Sequence, residues 1–158
     1  MQRATPVENQ IKTLAPIQAI DILGGKKTLG TKRYDDYRQG RSYRAIKSGL
    51  PYQALEELSK RLQLSKKEVL TLIDIAPRTL HRRKVERVLP ARESDRLFRL
   101  ARIYARAIQV LEDEKEALAW FRHPNYNLGE VTPLSLLETA EGARLVENEL
   151  NGIAYSVY

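Results

Sequence analysis

The stretch from Ser65 to Lys84 constrains the fold most, because its pattern fits two short helices joined by a tight turn. Ser65 is a favourable N-cap, and Glu68 three residues later completes a capping box at the start of the first helix. Residues 74–76 form the break. Pro77 suits the first position of the second helix, where its missing N–H is not needed. The spacing therefore predicts a helix-turn-helix, a motif that places its second helix in the major groove of DNA.

The second helix of this pair is basic, and Leu80 is expected to anchor it to the rest of the motif. Its remaining polar side chains are expected to reach base edges and phosphates. These candidate DNA-binding residues are Arg78, Thr79, His81, Arg82 and Arg83. The alternative interpretation is an ordinary solvent-exposed helix that is merely basic.

The distribution of charge supports the DNA-binding interpretation. The 158-residue chain has a net charge of +7. Residues 60–106 hold 14 basic and 5 acidic side chains, a net charge of +9, whereas residues 124–158 hold 1 and 5, a net charge of −4. A basic segment attracts a polyanion and an acidic one is repelled by it, so the two regions are expected to meet different partners. Chance segregation of charge in a short chain is the alternative.

The composition argues against several classes of protein. The absence of cysteine excludes disulfides and thiolate chemistry and suits a reducing cytosol. No apolar run approaches the roughly 20 residues that span a bilayer, and the N-terminus lacks the apolar core of a secretory signal. An apolar fraction of 42% is close to the globular norm. We therefore expect a cytoplasmic protein of one or two small domains.

Apolar periodicity predicts further helices on both sides of the pair. Residues 1–40 suggest short amphipathic helices, and they are expected either to dimerise the protein or to form a loosely ordered arm. One helix is predicted from Asp35 to Gly49, and another is predicted to begin at Leu50 and Pro51. The apolar stripes that support these helices contain Ile11, Leu14, Ile17, Ile20, Leu23, Leu55, Leu58 and Leu62.

A long helix follows the basic pair. Ser94 or Asp95 is expected to cap it, and an apolar face runs from Leu97 to Leu111. A row of arginines occupies the other side: Arg92, Arg96, Arg99, Arg102 and Arg106. This row is expected either to extend the contact with the DNA backbone or, as the favoured interpretation, to form a solvated face.

In the C-terminal third of the chain, cap residues predict three shorter helices. Asp113 with Glu116 resembles a capping box, and Thr132 and Thr139 are expected to cap the next two helices. Trp120 is interpreted as a core anchor, and Gly152 lies where a helix is expected to end. The last helix has a buried stripe of Ala143, Val146, Leu150 and Ile153. Tyrosines near a chain end that normally frays indicate a partner or a docking groove.

Candidate catalytic or metal-binding groups are missing from the pattern. The two histidines, His81 and His123, have no second ligand at metal spacing. No serine lies in a nucleophile-elbow context, and no glycine-rich phosphate loop begins a helix. We therefore expect no metal, no cofactor and no enzymatic activity.

The residues from about 45 to 158 resemble a known family. The segments are RTLHRRK at residues 78–84, ESDRLFRLARIYARAIQVL at residues 93–111, and ALAWFRHPNYNLGEVTPLSLLE at residues 117–138 with the helix that follows it. Together they are similar to the Xre-type antitoxins of RES–Xre type II toxin–antitoxin pairs. One departure is Ala76, since the family often has a serine or threonine cap at this position.

The resemblance implies an all-α fold, with a Cro/Xre-like helix-turn-helix domain followed by a small helical toxin-binding domain. It implies neutralisation of a cognate RES-domain toxin, a family associated with NAD consumption, by placing the C-terminal helix and tail over the toxin's active site. It also implies repression of the chain's own operon by binding the promoter DNA, as a homodimer or in a larger toxin–antitoxin assembly. The alternatives are a stand-alone transcriptional regulator without a toxin partner and an adaptor that no longer binds DNA.

These implications give an organisation and a second candidate site. Residues 1–44 would be an N-terminal segment with a possible dimerisation role, residues 45–111 the DNA-binding domain, and residues 112–158 the toxin-binding domain. The predicted toxin-binding residues face away from the buried stripe of the last helix or lie at the chain end. They are Glu141, Arg144, Asn148, Tyr155 and Tyr158.

Overall fold

The structure is a computed structural model, and it describes residues 19–156. Residues 19–22 are helical, and ten further α-helices and one short 3-10 helix follow. The helices are α1 Gly25–Leu29, α2 Thr31–Arg38, α3 Ser42–Ser48, α4 Tyr52–Arg61, α5 Lys66–Ile73, α6 Pro77–Glu86, α7 Ala91–Leu111, α8 Glu114–Arg122, α9 Pro133–Leu136 and α10 Ala140–Ser156, with the 3-10 turn Tyr126–Leu128 between α8 and α9. The described residues contain isolated β-bridges but no strand, so the all-α prediction is confirmed.

The 21-residue helix α7 is the centre of the molecule. Helices α2 and α3 pack beside its first half, where the rings of Tyr37 and Phe98 stack with centroids 5.0 Å apart. Helix α5 also packs on α7, and α8 and α10 pack along its second half. One hydrophobic core runs through all of these elements and includes Leu97, Tyr104 and Leu150. The helix-turn-helix and the C-terminal helices therefore share one central support.

The beginning of α7 differs from the sequence prediction. The helix begins at Ala91 behind Pro90, which has extended backbone angles, and neither Ser94 nor Asp95 is its cap. Ser94 is instead completely buried in the first turns of α7. Its hydroxyl accepts a hydrogen bond from the Leu50 amide at 2.8 Å and donates one to the Leu89 carbonyl at 3.0 Å. The serine that looked like a cap therefore joins two distant segments of backbone.

The N-terminal part also differs from its prediction. The prediction of a single helix from residue 35 to residue 49 is wrong, because Gly40 adopts a left-handed conformation with φ of 71° between α2 and α3. Tyr37, Ile20 and Leu23 are buried in the common core, so residues 19–48 are not a loose arm. The helices suggested by Ile11, Leu14 and Ile17 lie outside the described residues. The dimerisation role of residues 1–44 stays a prediction.

The N-caps of the C-terminal helices form as predicted, but the predicted capping box at Asp113 is incomplete. Asp113 accepts hydrogen bonds from the amides of Lys115 and Glu116, whereas the Glu116 side chain accepts none from the Asp113 amide. Thr132 accepts a hydrogen bond from the Ser135 amide. Thr139 accepts one from the Gly142 amide at 2.9 Å. One prediction is wrong: Gly152 does not end the last helix, which continues to Ser156. Trp120 packs against the core as predicted, although it is only half-buried, with its ring edge-on to Phe121 at 5.2 Å.

Candidate functional sites

The helix-turn-helix is built from local capping and one long-range clamp. Ser65 and Glu68 form the predicted capping box at the start of α5. Helix α5 ends at Ile73, and its C-cap residue Asp74 has left-handed backbone angles and an exposed side chain. Arg96 of α7 donates a hydrogen bond to the Ile73 carbonyl at 3.0 Å and lies 2.9 Å from the Asp74 carboxylate. The turn between α5 and α6 is therefore held from α7.

Helix α6 is attached to the molecule at two points. Leu80 is buried beneath it, as predicted. Arg83 donates hydrogen bonds from Nε and Nη2 to the two carboxylate oxygens of Glu93 at 2.8 and 3.0 Å, and from Nη1 to Glu86 at 2.9 Å. The Glu93 side chain is only 9% exposed, and its hydrogen bonds raise the pKa of Arg83 above its ordinary value. The bidentate pair fixes the orientation of α6 relative to α7.

The candidate DNA-binding residues divide into two groups. Arg78, His81 and Arg82 are exposed on α6, and Thr79 is half-buried between them. Arg82 makes only a weak ion pair with Glu86, at 3.7 Å. Arg83 is different, because its guanidinium group is committed to carboxylates of the same chain. The outward surface of α6 is formed by the first group.

The first turn of α6 is also open to an anion. Ala76 is the N-cap residue and provides no side-chain hydrogen bond, as expected from the sequence. Pro77 has no amide hydrogen, so the first free amides of the helix belong to Arg78 and Thr79. Free amides at a helix N-terminus can donate to a DNA phosphate, and two exposed arginines stand nearby on the same helix.

The C-terminal helix α10 has one buried and one exposed face. Ala143, Val146 and Leu150 are buried against the core, and the half-buried Ile153 continues this stripe, as predicted. Arg102 of α7 pairs with Glu147 at 2.7 Å, and Arg106 donates to Asn151 at 3.0 Å. These contacts fix which side of α10 faces solvent.

The exposed face of α10 brings together four of the five predicted toxin-binding residues. Glu141, Arg144, Asn148 and Tyr155 are all exposed and recur at helical spacing. Tyr158 lies outside the described residues. Glu141 and Arg144 form an exposed ion pair, in which Arg144 Nε donates to Glu141 Oε2 at 3.0 Å. This pair makes the N-terminal part of the face nearly neutral.

Sequence reasoning missed apolar members of this surface. Leu145 lies on the same face of α10 and is 40% exposed. Tyr126 is 85% exposed in the 3-10 turn, and the neighbouring Asn127 donates to Glu149 of α10 at 2.9 Å. Helical periodicity alone could have identified Leu145, because it lies outside the buried stripe. Nothing in the sequence ties the Tyr126 turn to α10, since 22 residues separate Asn127 from Glu149.

Comparison with known proteins was decisive for both regions. Residues 42–102 match the family model described as the antitoxin Xre-like helix-turn-helix domain. Residues 106–155 match the model described as the antitoxin Xre/MbcA/ParS C-terminal toxin-binding domain. A protein named antitoxin Xre from Yersinia enterocolitica is 30% identical over 117 residues, which cover 72% of this chain and 78% of that protein.

The chain belongs to the Xre antitoxin family. Another antitoxin Xre, from Photorhabdus laumondii, is 29% identical over 71% of this chain and 77% of its own length. A solved structure, the MbcT–MbcA toxin–antitoxin complex of M. tuberculosis, is 27% identical and covers 68% of this chain and 96% of the matched chain, with a TM-score of 0.49. The family assignment rests on the sequence relationships and not on this structural likeness.

In this Xre family member the arginine row of α7 has a role that neither sequence interpretation anticipated. Arg96 clamps the turn of the helix-turn-helix, and Arg102 and Arg106 hold α10. Arg92 is 81% exposed. The row is therefore neither a solvated face nor a track for DNA phosphates along most of its length. It connects the two matched domains to their common helix.

A further arginine joins the two domains directly. Arg122 at the end of α8 donates to Glu68 Oε1 at 2.9 Å, to the Leu62 carbonyl at 2.9 Å and to the Gln63 carbonyl at 2.8 Å. The Ser65 amide and Arg122 both lower the pKa of the Glu68 carboxyl. The capping box of the helix-turn-helix is therefore also part of the contact with the matched C-terminal domain.

The described residues contain neither a candidate metal site nor a candidate membrane-spanning helix. Within residues 19–156, no group of three His, Asp or Glu side chains is placed to hold a metal ion. In the same residues, no helix has both the length and the apolar character needed to cross a bilayer. The absence of enzymatic activity stays a prediction.

Proposed function

We propose that this Xre antitoxin neutralises a cognate toxin through the exposed face of α10. The observation that supports the proposal most is the alignment of Glu141, Leu145, Asn148 and Tyr155 on one side of a helix whose other side is fixed to the core. These residues lie within the matched toxin-binding domain. An exposed leucine and tyrosine beside polar groups are typical of an interface centre with a polar surround.

The proposed toxin is a RES-domain protein that consumes NAD, as the family resemblance implies. Residues 124–158 have a net charge of −4, which suits a cleft that binds the phosphates of a dinucleotide. Three of the five carboxylates in this segment have partners within the chain: Glu141, Glu147 and Glu149. Leu145 and Tyr155 would therefore provide most of the contact, and the net charge would guide the approach of the toxin.

The test is toxin capture by a variant with a changed surface and an unchanged core. Deleting residues 139–158 would remove the buried Val146 and Leu150, so loss of function would follow from unfolding alone. Leu145→Asp alters only a 40% exposed side chain. We expect it to weaken toxin binding roughly tenfold or more and to restore toxicity in co-expressing cells.

The matched control for this test is Val85→Asp, which also replaces an exposed aliphatic side chain by a carboxylate, at the 70% exposed Val85 of α6. It should leave toxin capture intact. Full protection of cells by Leu145→Asp would show that the exposed face of α10 is not the inhibitory surface.

We propose as well that α6 binds the promoter of the chain's own operon and represses it. Support comes from the exposed Arg78, His81 and Arg82, from the free amides of the first turn, and from the net charge of +9 in residues 60–106. A single helix-turn-helix covers one half-site, so a dimer on a two-fold operator is expected. The N-terminal segment or the toxin would bring two copies together.

The DNA test is binding of a promoter duplex and of a random duplex by Arg78→Ala and Arg82→Ala variants over a range of salt concentrations. Loss of an arginine that reads a base should cost about 1–3 kcal/mol of discrimination between the two duplexes. Loss of an arginine that contacts a phosphate should lower the affinity for both duplexes. Wild-type protein that shows no salt-dependent binding to the promoter would support the adaptor alternative. A stand-alone regulator would bind the promoter but would not co-purify with the product of the neighbouring reading frame.

A further inference from the structure

A second basic surface lies outside the helix-turn-helix, in a part of the chain that contributes little to either family match. Residues 25–48 carry eight basic and two acidic side chains, a net charge of +6. Helices α2 and α3 arrange some of them around an open cleft of about 340 Å³. The residues that line this cleft are Lys32, Arg33, Asp36, Arg44 and Ser48.

The cations of the cleft are largely available to a ligand. Lys32 and Arg44 are exposed, and neither forms an ion pair with a carboxylate in the described part of the chain. Arg44 donates a hydrogen bond from Nε to the Tyr43 hydroxyl at 3.1 Å, and this bond does not involve the two terminal nitrogens of the guanidinium group. The one carboxylate in the lining, Asp36, pairs with Arg41 at 3.1 Å. The cleft is therefore an anion-attracting surface.

Backbone contacts place this cleft beside the end of the proposed DNA-binding helix. Arg33 donates from Nε to the Gly49 carbonyl at 2.9 Å. Gly49 lies so close to the segment after α6 that a Cβ on it would be 2.5 Å from the Leu89 carbonyl oxygen and 2.9 Å from Val88 Cγ2. A hydrogen bond from the Tyr52 amide to the Arg87 carbonyl, at 3.0 Å, joins the same two segments.

We infer that the cleft between α2 and α3 binds a backbone phosphate of the DNA duplex that α6 reads, so that this cleft extends the proposed DNA-binding surface. The inference rests on the proposed promoter binding. It follows from the continuity between the cleft and α6, because a duplex seated on α6 continues past the end of that helix. Arginine and lysine side chains that contact phosphates fix register and add affinity without reading sequence.

The test compares two double variants of the full chain by titration of a promoter duplex and a random duplex, monitored by fluorescence anisotropy. Lys32→Ala/Arg44→Ala removes two cations from the cleft. Lys26→Ala/Lys27→Ala removes the same charge from exposed positions on α1, outside the cleft. All four side chains are exposed, so helix content and thermal midpoint should match those of the wild type.

The cleft variant should bind both duplexes more weakly, and its plot of log affinity against log salt should be flatter by about 0.9 for one lost phosphate contact. The ratio of wild-type affinity to variant affinity should then shrink about 3.5-fold between about 50 and 200 mM salt. The α1 variant should keep the wild-type slope.

Two results would overturn the inference: an unchanged slope in the cleft variant, or equal flattening in both variants. If the unchanged slope came with loss of a dimer in sedimentation, the cleft would be a subunit interface instead. Wild-type protein that binds no promoter DNA refutes the proposed promoter binding itself. Salt-dependent binding by the wild type with no effect of the cleft variant refutes only this inference.

Discussion

At the scale of single residues, neighbouring arginines on α6 have opposite roles. Arg82 is 60% exposed and weakly paired, whereas Arg83 is 14% exposed and held by Glu93. The sequence could not separate them, because the partner of Arg83 lies ten residues away beyond a loop whose path is set by tertiary contacts. The exposed arginines are available to DNA, and Arg83 positions the helix that carries them.

This difference predicts a large gap in stability between two substitutions. Arg83→Ala leaves the Glu93 carboxylate buried without its partner, so we expect a loss of about 3 kcal/mol in the free energy of unfolding. Arg82→Ala removes an exposed ion pair and should change the free energy of unfolding by at most about 0.5 kcal/mol. Urea denaturation measures both. Glu93→Gln in the Arg83→Ala background should recover part of the loss, and equal effects of the two alanine variants would contradict this account.

At the scale of elements, features set by local sequence were predicted and features set by long-range contacts were not. The caps at Ser65, Asp113 and Thr139 depend on residues three positions away, and the structure confirms them. The role of Ser94 and the break at Gly40 were predicted wrongly. Ser94 resembles a cap in sequence, but its partners include Leu50, 44 residues away. The exposed face of α10 could be predicted from the apolar stripe on its other side, whereas the position of the Tyr126 turn beside α10 could not be predicted.

The contact between the α5 cap and Arg122 predicts a pH dependence of stability. Because the folded state lowers the pKa of the Glu68 carboxyl below its ordinary value, its contribution to stability is present above that ordinary value and is lost as pH falls through the lowered pKa. Glu68→Gln should therefore be less stable than wild type at neutral pH, and the difference should shrink below about pH 4. Thermal unfolding at a series of pH values checks this, with Glu116→Gln on α8 as an exposed control. A difference that is independent of pH would show that the charge of Glu68 is irrelevant.

At the scale of the whole molecule, one long helix supports the two surfaces that we propose bind different partners. The first half of α7 holds the helix-turn-helix through Glu93 and Arg96, and its second half holds α10 through Arg102 and Arg106. The outward faces of α6 and α10 share no residue. Substitutions confined to these faces should therefore separate DNA binding from toxin binding.

The most direct test is to measure both activities in the same two variants, with toxin capture by calorimetry and promoter binding by anisotropy. Leu145→Asp should lose toxin affinity and keep wild-type promoter binding in the absence of toxin. Arg78→Ala/Arg82→Ala should lose promoter affinity and keep toxin capture. If either variant lost both activities while remaining folded, or if Leu145→Asp still captured the toxin with wild-type affinity, the assignment of separate faces to the two partners would be wrong.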